Sequence, residues 1–357
     1  MEAINTKRIK ALDTMRGITV AGMILVNNPG AWNTTYSPLL HAEFNGMTPT
    51  DLVFPFFMFI MGISIYISMQ KFDFAYSFRT VTKILRRTVI LFIIGLCLNL
   101  LIGLLHYGEH WLTALRYMGV MQRLGLCYGI VALLALTLRH RYFPYLIAIL
   151  YMGYAIILLV GNGFDYSSEN IVCQVDTALM GASHLYLGDG FPFDPEGLLS
   201  TLPAIGHVMI GFCCGKILMK EIELSKKMNQ LFLLGGILMI LGWLLSYGVP
   251  LNKKVWTPTF SMMTCGMPAC LLAGLIELID IRKFRYTGFF NAFGANPLFI
   301  FVISEVMSIF MLASVFHQLF LPIFPTKLAS LISAVIMVFL CWLIVYPLYK
   351  RHLYIKI

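Results

Sequence analysis

Residues 84–105 read ILRRTVILFIIGLCLNLLIGLL, and beyond Arg87 the run holds no acid and no base. At a rise of about 1.5 Å per residue, a helix of this length matches the roughly 30 Å hydrocarbon layer of a bilayer. It lacks the period-two alternation of a barrel strand. Working outward, comparable apolar stretches occupy 12–32, 52–70, 116–138, 143–160, 201–219, 229–247, 259–278, 289–312 and 327–349. The composition agrees, with 59% hydrophobic and only 12% charged residues in a chain of 357. A soluble domain carries about 25% charged residues. Disorder, collagen, a coiled coil and a disulfide-stapled module are excluded. The sequence predicts an all-α, polytopic integral membrane protein of about ten transmembrane helices, forming one domain over 1–357 and seated in the lipid bilayer.

The net charge of +9 would suggest nucleic acid in a soluble protein. Here it follows the membrane instead. Twenty of the 26 Lys and Arg residues fall in alternate connecting segments: the N-terminus and the stretches near 71–87, 139–142, 216–228, 279–288 and 350–357. The opposite set holds only Lys253 and Lys254. The positive-inside rule therefore expects both termini in the cytoplasm and no nucleic-acid partner. The first stretch is not expected to be a cleaved leader, because Asp13 and Arg16 interrupt its start and no small-x-small site follows. Seven of the eight cysteines lie within spans, and only Cys173 sits in an outer loop, so no disulfide framework is expected. No internal repeat of the kind many transporters carry is visible.

Two outer segments stand apart. The first, 33–51, is rich in polar and aromatic residues. The other, 161–200, carries Asp165, Glu169, Asp176, Asp189, Asp194 and Glu196 with no Lys or Arg. Its GDGFPFDPEG stretch (188–197) favours an ordered cover over the outer side.

Polar residues inside spans are costly and point to function or to structural pairing. Asp13 and Arg16 are spaced to pair on one helix face. Rise per residue puts Asn27, Arg123 and Glu305 each roughly 10 Å below the outer surface, with Gln122 beside Arg123. An outward-facing polar cavity and a buried Arg–Glu pair both fit that layer. His41 lies in LLHAEFNGMTPTDLVFPFF (39–57). An imidazole suits proton transfer near neutral pH, although a lone loop histidine is also an ordinary polar residue. Asp51, in Thr48-Pro49-Thr50-Asp51, is placed to cap the following helix. His106-Tyr107-Gly108-Glu109-His110 matches a zinc motif. Gly108 and the short loop argue against a helix there, and no metal is expected. No P-loop or dinucleotide fingerprint is present.

ALDTMRGITVAGMILVNNPG (11–30) followed by HAEFNGMTPTDLVFPFFMFIMGISI (41–65) resembles the opening of the heparan-α-glucosaminide N-acetyltransferase family. RYMGVMQRLGLCY (116–128), DPEGLLSTLPAIG (194–206), KKVWTPTFSMMTCG (253–266) and GANPLF (294–299) resemble its later blocks, so the likeness runs through essentially the whole chain. The resemblance implies a transmembrane acyltransferase that moves an acetyl group from cytosolic acetyl-CoA to an amino sugar or glycan acceptor across the bilayer. It carries the active-site histidine onto His41 and an asparagine beside it onto Asn27. It further implies a bacterial homologue in the cytoplasmic (inner) membrane, since the chain starts at its first helix without the animal enzyme's lumenal region. A homodimer is compatible with this reading. For the donor, Arg123, Gln122 and the inner basic residues Lys83, Arg86 and Arg87 are expected to contribute. Asn45, Asp51, Glu305, Asp194 and Glu196 are expected on the acceptor side, where the acidic loop would attract a cationic amino sugar. His41 would act as base or take the acetyl group itself, with Asn27 or a backbone N–H holding the oxyanion. The rivals are a sugar O-acetyltransferase of envelope glycan, and a secondary transporter that uses Asp13, Arg16, Arg123 and Glu305 as coupling charges.

Overall fold

A computed structural model describes residues 9–106, 108, 111–188, 190–284 and 287–355, and every regular element among them is helical. The principal helices are α1 (Lys10–Asn27), α2 (Val53–Gln70), α3 (Phe78–His106), α4 (Val120–Thr137), α5 (Phe143–Val160), α6 (Ile171–Met180) and α7 (Thr201–Leu218). They continue with α8 (Leu224–Leu245), α9 (Pro258–Leu275), α10 (Gly288–Ala295), α11 (Pro297–Ile309), α12 (Leu312–Phe320) and α13 (Thr326–Lys350). Eight spans among the described residues are long and apolar enough to cross a bilayer, those of α2, α3, α4, α5, α7, α8, α9 and α13. The chain is a multi-pass membrane protein.

The other two apolar stretches take different forms. The first becomes α1, which carries Lys10, Asp13 and Arg16 in its opening turns and stops at Asn27 rather than near 32. Pro29 disfavours helical geometry at the residue before it, which accounts for the early stop. The ninth, expected as one span over 289–312, is broken: α10 and α11 meet at 87°. The break falls at Asn296, just ahead of Pro297 at the start of α11. The fourth stretch also starts late, at Val120, so Arg116 lies outside the helix and Arg123 sits in its first turn.

Packing divides the chain into two compact units. One comprises Ser37–Met219 and Gly236–Met267, and contains α2 to α7. In it α2 and α7 cross at close range, because a methyl group on Gly62 would overlap the Val208 carbonyl and one on Gly211 the Phe59 carbonyl. His207 of α7 sits beside this crossing, wholly buried. Its Nε2 donates to the Pro55 carbonyl at 2.9 Å, and its Nδ1 accepts from Ser261 at 3.1 Å. Tyr151 in turn bonds Ser261 at 2.6 Å, so each polar group in the chain is satisfied.

The other unit comprises Met1–Tyr36, Lys220–Gly235 and Pro268–Lys356. There the first amides of α1, at Lys10 and Ala11, donate to the Asp280 carboxylate at 3.3 and 3.0 Å. Asp13 and Arg16 pair at 3.3 Å, as their spacing predicts.

Candidate active site

The site grows from the entry to α2. Thr48-Pro49-Thr50-Asp51 forms a 3-10 turn whose start Pro49 pre-organises, and this turn leads directly into the helix. Asp51 is buried, and its Oδ2 accepts from the amides of Ala42 and Thr48 at 3.1 and 3.0 Å and from the Thr48 hydroxyl at 3.0 Å. Its Oδ1 lies 2.6 Å from His41 Nδ1. A carboxylate only accepts, so this contact puts the imidazole proton on Nδ1 and makes Nε2 the accepting nitrogen. His41 itself is 42% exposed.

A second loop meets this turn. Gly46, at φ +116°, donates its N–H to the Leu251 carbonyl at 2.7 Å, and Asn252 donates to Asn45 Oδ1 at 3.0 Å. Asn252 also caps the next turn, accepting from the Val255 amide at 3.0 Å. Lys253 is thereby fixed with its Nζ 3.1 Å from His41 Nδ1, 3.4 Å from His41 Nε2 and 3.6 Å from Asp51 Oδ1. Burial pushes the Lys253 ammonium below its usual range, against the pull of Asp51 and Glu196.

The third wall comes from the segment before α4. Asn99, a polar residue inside α3, donates to the carbonyls of Arg116 and Met118 at 2.8 and 3.1 Å and so fixes the extended chain there. The Arg116 fork grips Asp194 through Nε at 2.8 Å and Nη2 at 2.6 Å, and Nη2 also reaches Glu196 at 2.7 Å. Burial works against the guanidinium, but the two carboxylates outweigh it and hold its pKa above the ordinary value. Burial likewise opposes the Asp194 carboxylate, and Arg116 more than compensates, keeping it below the usual range. Tyr186 lies against the guanidinium at 5.2 Å. Together these groups enclose a cavity of about 350 Å³ lined by His41, Glu43, Asp51, Arg116, Glu196 and Lys253, with Lys254 at its edge.

The 161–200 segment packs beside it. Asn170 caps α6, accepting from the Val172 amide at 2.9 Å and donating to the carbonyls of Gly163 and Asp165. Phe44, from the His41 loop, stacks on Tyr166 at 4.7 Å and meets Phe193 edge-on. Phe44 and Phe193 join Tyr154, Leu158, Val172 and Val255 in one apolar cluster.

A histidine oriented by a buried carboxylate at the wall of a polar cavity has the groups needed for proton abstraction or nucleophilic attack. Residues 8–249 match the profile described as Heparan-alpha-glucosaminide N-acetyltransferase, catalytic. The chain belongs to that family. It is similar to the heparan-alpha-glucosaminide N-acetyltransferase of Mus musculus, at 27% identity over 421 aligned positions covering 99% of this chain and 61% of the mouse protein. The Homo sapiens protein of the same name is 28% identical over 359 positions, covering 84% of this chain and 53% of that one. The chain thus spans little more than half the length of the curated relatives it matches.

Of the residues singled out from the sequence, His41, Asp51 and Glu196 line the cavity, and Asp194 anchors its Arg116 wall. Asn45 is occupied in joining the two loops. Arg123 is wholly buried, with its Nη2 donating to the Gly197 carbonyl and the Ser200 hydroxyl and its guanidinium over Trp256. Gln122 packs against Gly95. Lys83 and Arg87 lie against Phe72 and Tyr128 in the opening turns of α3, beside the exposed Arg86. Asn27 and Glu305 belong to the other unit, where Asn27 Nδ2 donates to Glu305 Oε1 at 3.2 Å. Tyr107, Glu109, His110 and the His106 side chain lie outside the described residues, so the zinc motif does too.

Sequence reasoning missed Lys253, Arg116 and Glu43 as cavity residues. One signal for Lys253 was available: it and Lys254 are the bases that break the charge alternation of the connecting segments.

Proposed function

We propose that the protein is a transmembrane acetyltransferase that carries an acetyl group from cytosolic acetyl-CoA to an amino sugar on the outer side of a bacterial cytoplasmic membrane. The observation that carries this reading is the 2.6 Å contact of His41 Nδ1 with the buried Asp51, two cavity residues that both lie in the family-matched segment. With its proton held on Nδ1, His41 uses Nε2 to take the proton of the acceptor amine, or to accept the acetyl group before passing it on. Glu43 and Glu196 line the cavity together with Arg116, Lys253 and Lys254, so its wall presents charges of both signs to a polar acceptor.

The donor's charged end suits the opposite face. Lys83, Arg86 and Arg87 lie at the start of α3, and Asn99, which fixes the Arg116 wall, is about 24 Å further along the same helix. A phosphate-bearing donor held at the basic end, with its thioester reaching toward His41, matches that separation.

Purified protein incubated with labelled acetyl-CoA and a panel of amino and neutral sugars tests the proposal. Label should pass to an amino sugar, and His41→Ala should lower turnover at least about a hundredfold while acetyl-CoA binding persists. Label on neutral sugars alone supports O-acetylation instead. Sugar uptake into vesicles with no acetylated product supports the transporter.

A further inference from the structure

Acetyl transfer from a thioester passes through an oxyanion, and a donor must stand where that charge forms. Asn27, expected to fill this role, directs its amide N–H at Glu305. Lys253 is set differently. Its Nζ lies 3.4 Å from His41 Nε2, the accepting ring nitrogen, and its side chain is only 15% exposed.

Asp51 takes His41, two backbone amides and the Thr48 hydroxyl on its two oxygens and also pairs with Lys253 at 3.6 Å. The loop around Lys253 fixes it further, through Asn252 bonded to Asn45 on one side and to Val255 on the other. An ammonium carries three donors, and Lys253 lines the cavity beside His41.

We propose that Lys253 is a catalytic residue that binds the carbonyl oxygen of the acetyl thioester as charge develops on it, an assignment that rests on the acetyl-transfer reading above. As the acceptor amine adds to the thioester carbon, the carbonyl π pair moves onto oxygen, and the Lys253 ammonium donates a hydrogen bond to that oxyanion. His41 Nε2 takes the amine proton. The carbonyl then re-forms, the carbon–sulfur bond breaks, and the departing thiolate receives the proton from His41. If His41 is acetylated first, the same donor serves both tetrahedral intermediates. Lys253 keeps its protons throughout.

Lys253→Met and Lys253→Gln, assayed beside His41→Ala with labelled acetyl-CoA and an amino-sugar acceptor, test the assignment. Removing one such donor lowers kcat by roughly 10²–10³-fold. The expected result is that loss, with KM for both substrates within about threefold and melting unchanged. Methylammonium in the medium should restore part of the activity of Lys253→Ala, a rescue that a purely structural lysine would not give. If kcat stays within about tenfold of wild type while His41→Ala is inactive, the assignment falls and the acetyl-transfer reading stands. A raised KM with unchanged kcat makes Lys253 a binding group only and also overturns it. If His41→Ala and the Lys253 variants all turn over normally, both readings fall. Lys253→Gln carries the test should the methionine variant not fold.

Discussion

Asp176 is wholly buried in α6, where Oδ1 accepts from the Leu199 amide at 3.1 Å and Oδ2 has no hydrogen-bond partner among the described residues. Burial pushes its pKa up from 3.8 to about 6, with Asp194 adding to the shift and the Leu199 amide and Arg123 opposing it. Below 3.8 the group is protonated whether the chain is folded or not, so its contribution to stability is complete there. That contribution fades as pH rises through about 6, because the folded state must then hold a buried carboxylate. The expected loss is on the order of 3 kcal/mol. Melting curves of wild type and Asp176→Asn between about pH 4 and pH 7 should therefore diverge, the wild type losing ground as pH rises. Parallel curves would dismiss the idea. At this scale the sequence singled out His41 and Asp51, ten residues apart in adjacent motifs, but read Asp51 as a helix cap and not as the partner of the imidazole. Lys253 is 212 positions from His41 and no periodicity links them, so only the folded chain brings them together.

At the level of elements, apolar runs predicted where the helices lie but not where the backbone turns. Hydropathy does not register the conformational cost of Asn28-Pro29 or Asn296-Pro297, and those dipeptides set the end of α1 and the α10–α11 break. It is equally silent about close approach. Gly62 and Gly211 read as apolar filler, yet they allow α2 and α7 to touch backbone to backbone, which fixes the helix that Asp51 opens. Gly211→Ala should cost about 1–3 kcal/mol through overpacking. Gly236→Ala, whose added methyl meets nothing within 4 Å, should hold or raise stability. Thermal melts of the two variants in detergent give the comparison, and equal destabilisation would refute the role given to the crossing.

Taken as a whole molecule, the chain separates its charge along the sequence, with 161–200 acidic and the basic residues gathered in alternate connections. Reporter fusions should therefore report loop 161–200 outside and both termini inside. A cytoplasmic signal from that loop would reverse the route drawn for the donor. The sharing of one carboxylate has a different kind of consequence. Asp51 both closes the turn that starts α2 and orients the His41 ring. Substitutions at His41 should yield protein of normal abundance and low specific activity, whereas substitutions at Asp51 lower the amount of protein as well. A ligand that rescues an Asp51 variant from degradation would replenish the membrane with molecules that still cannot turn over.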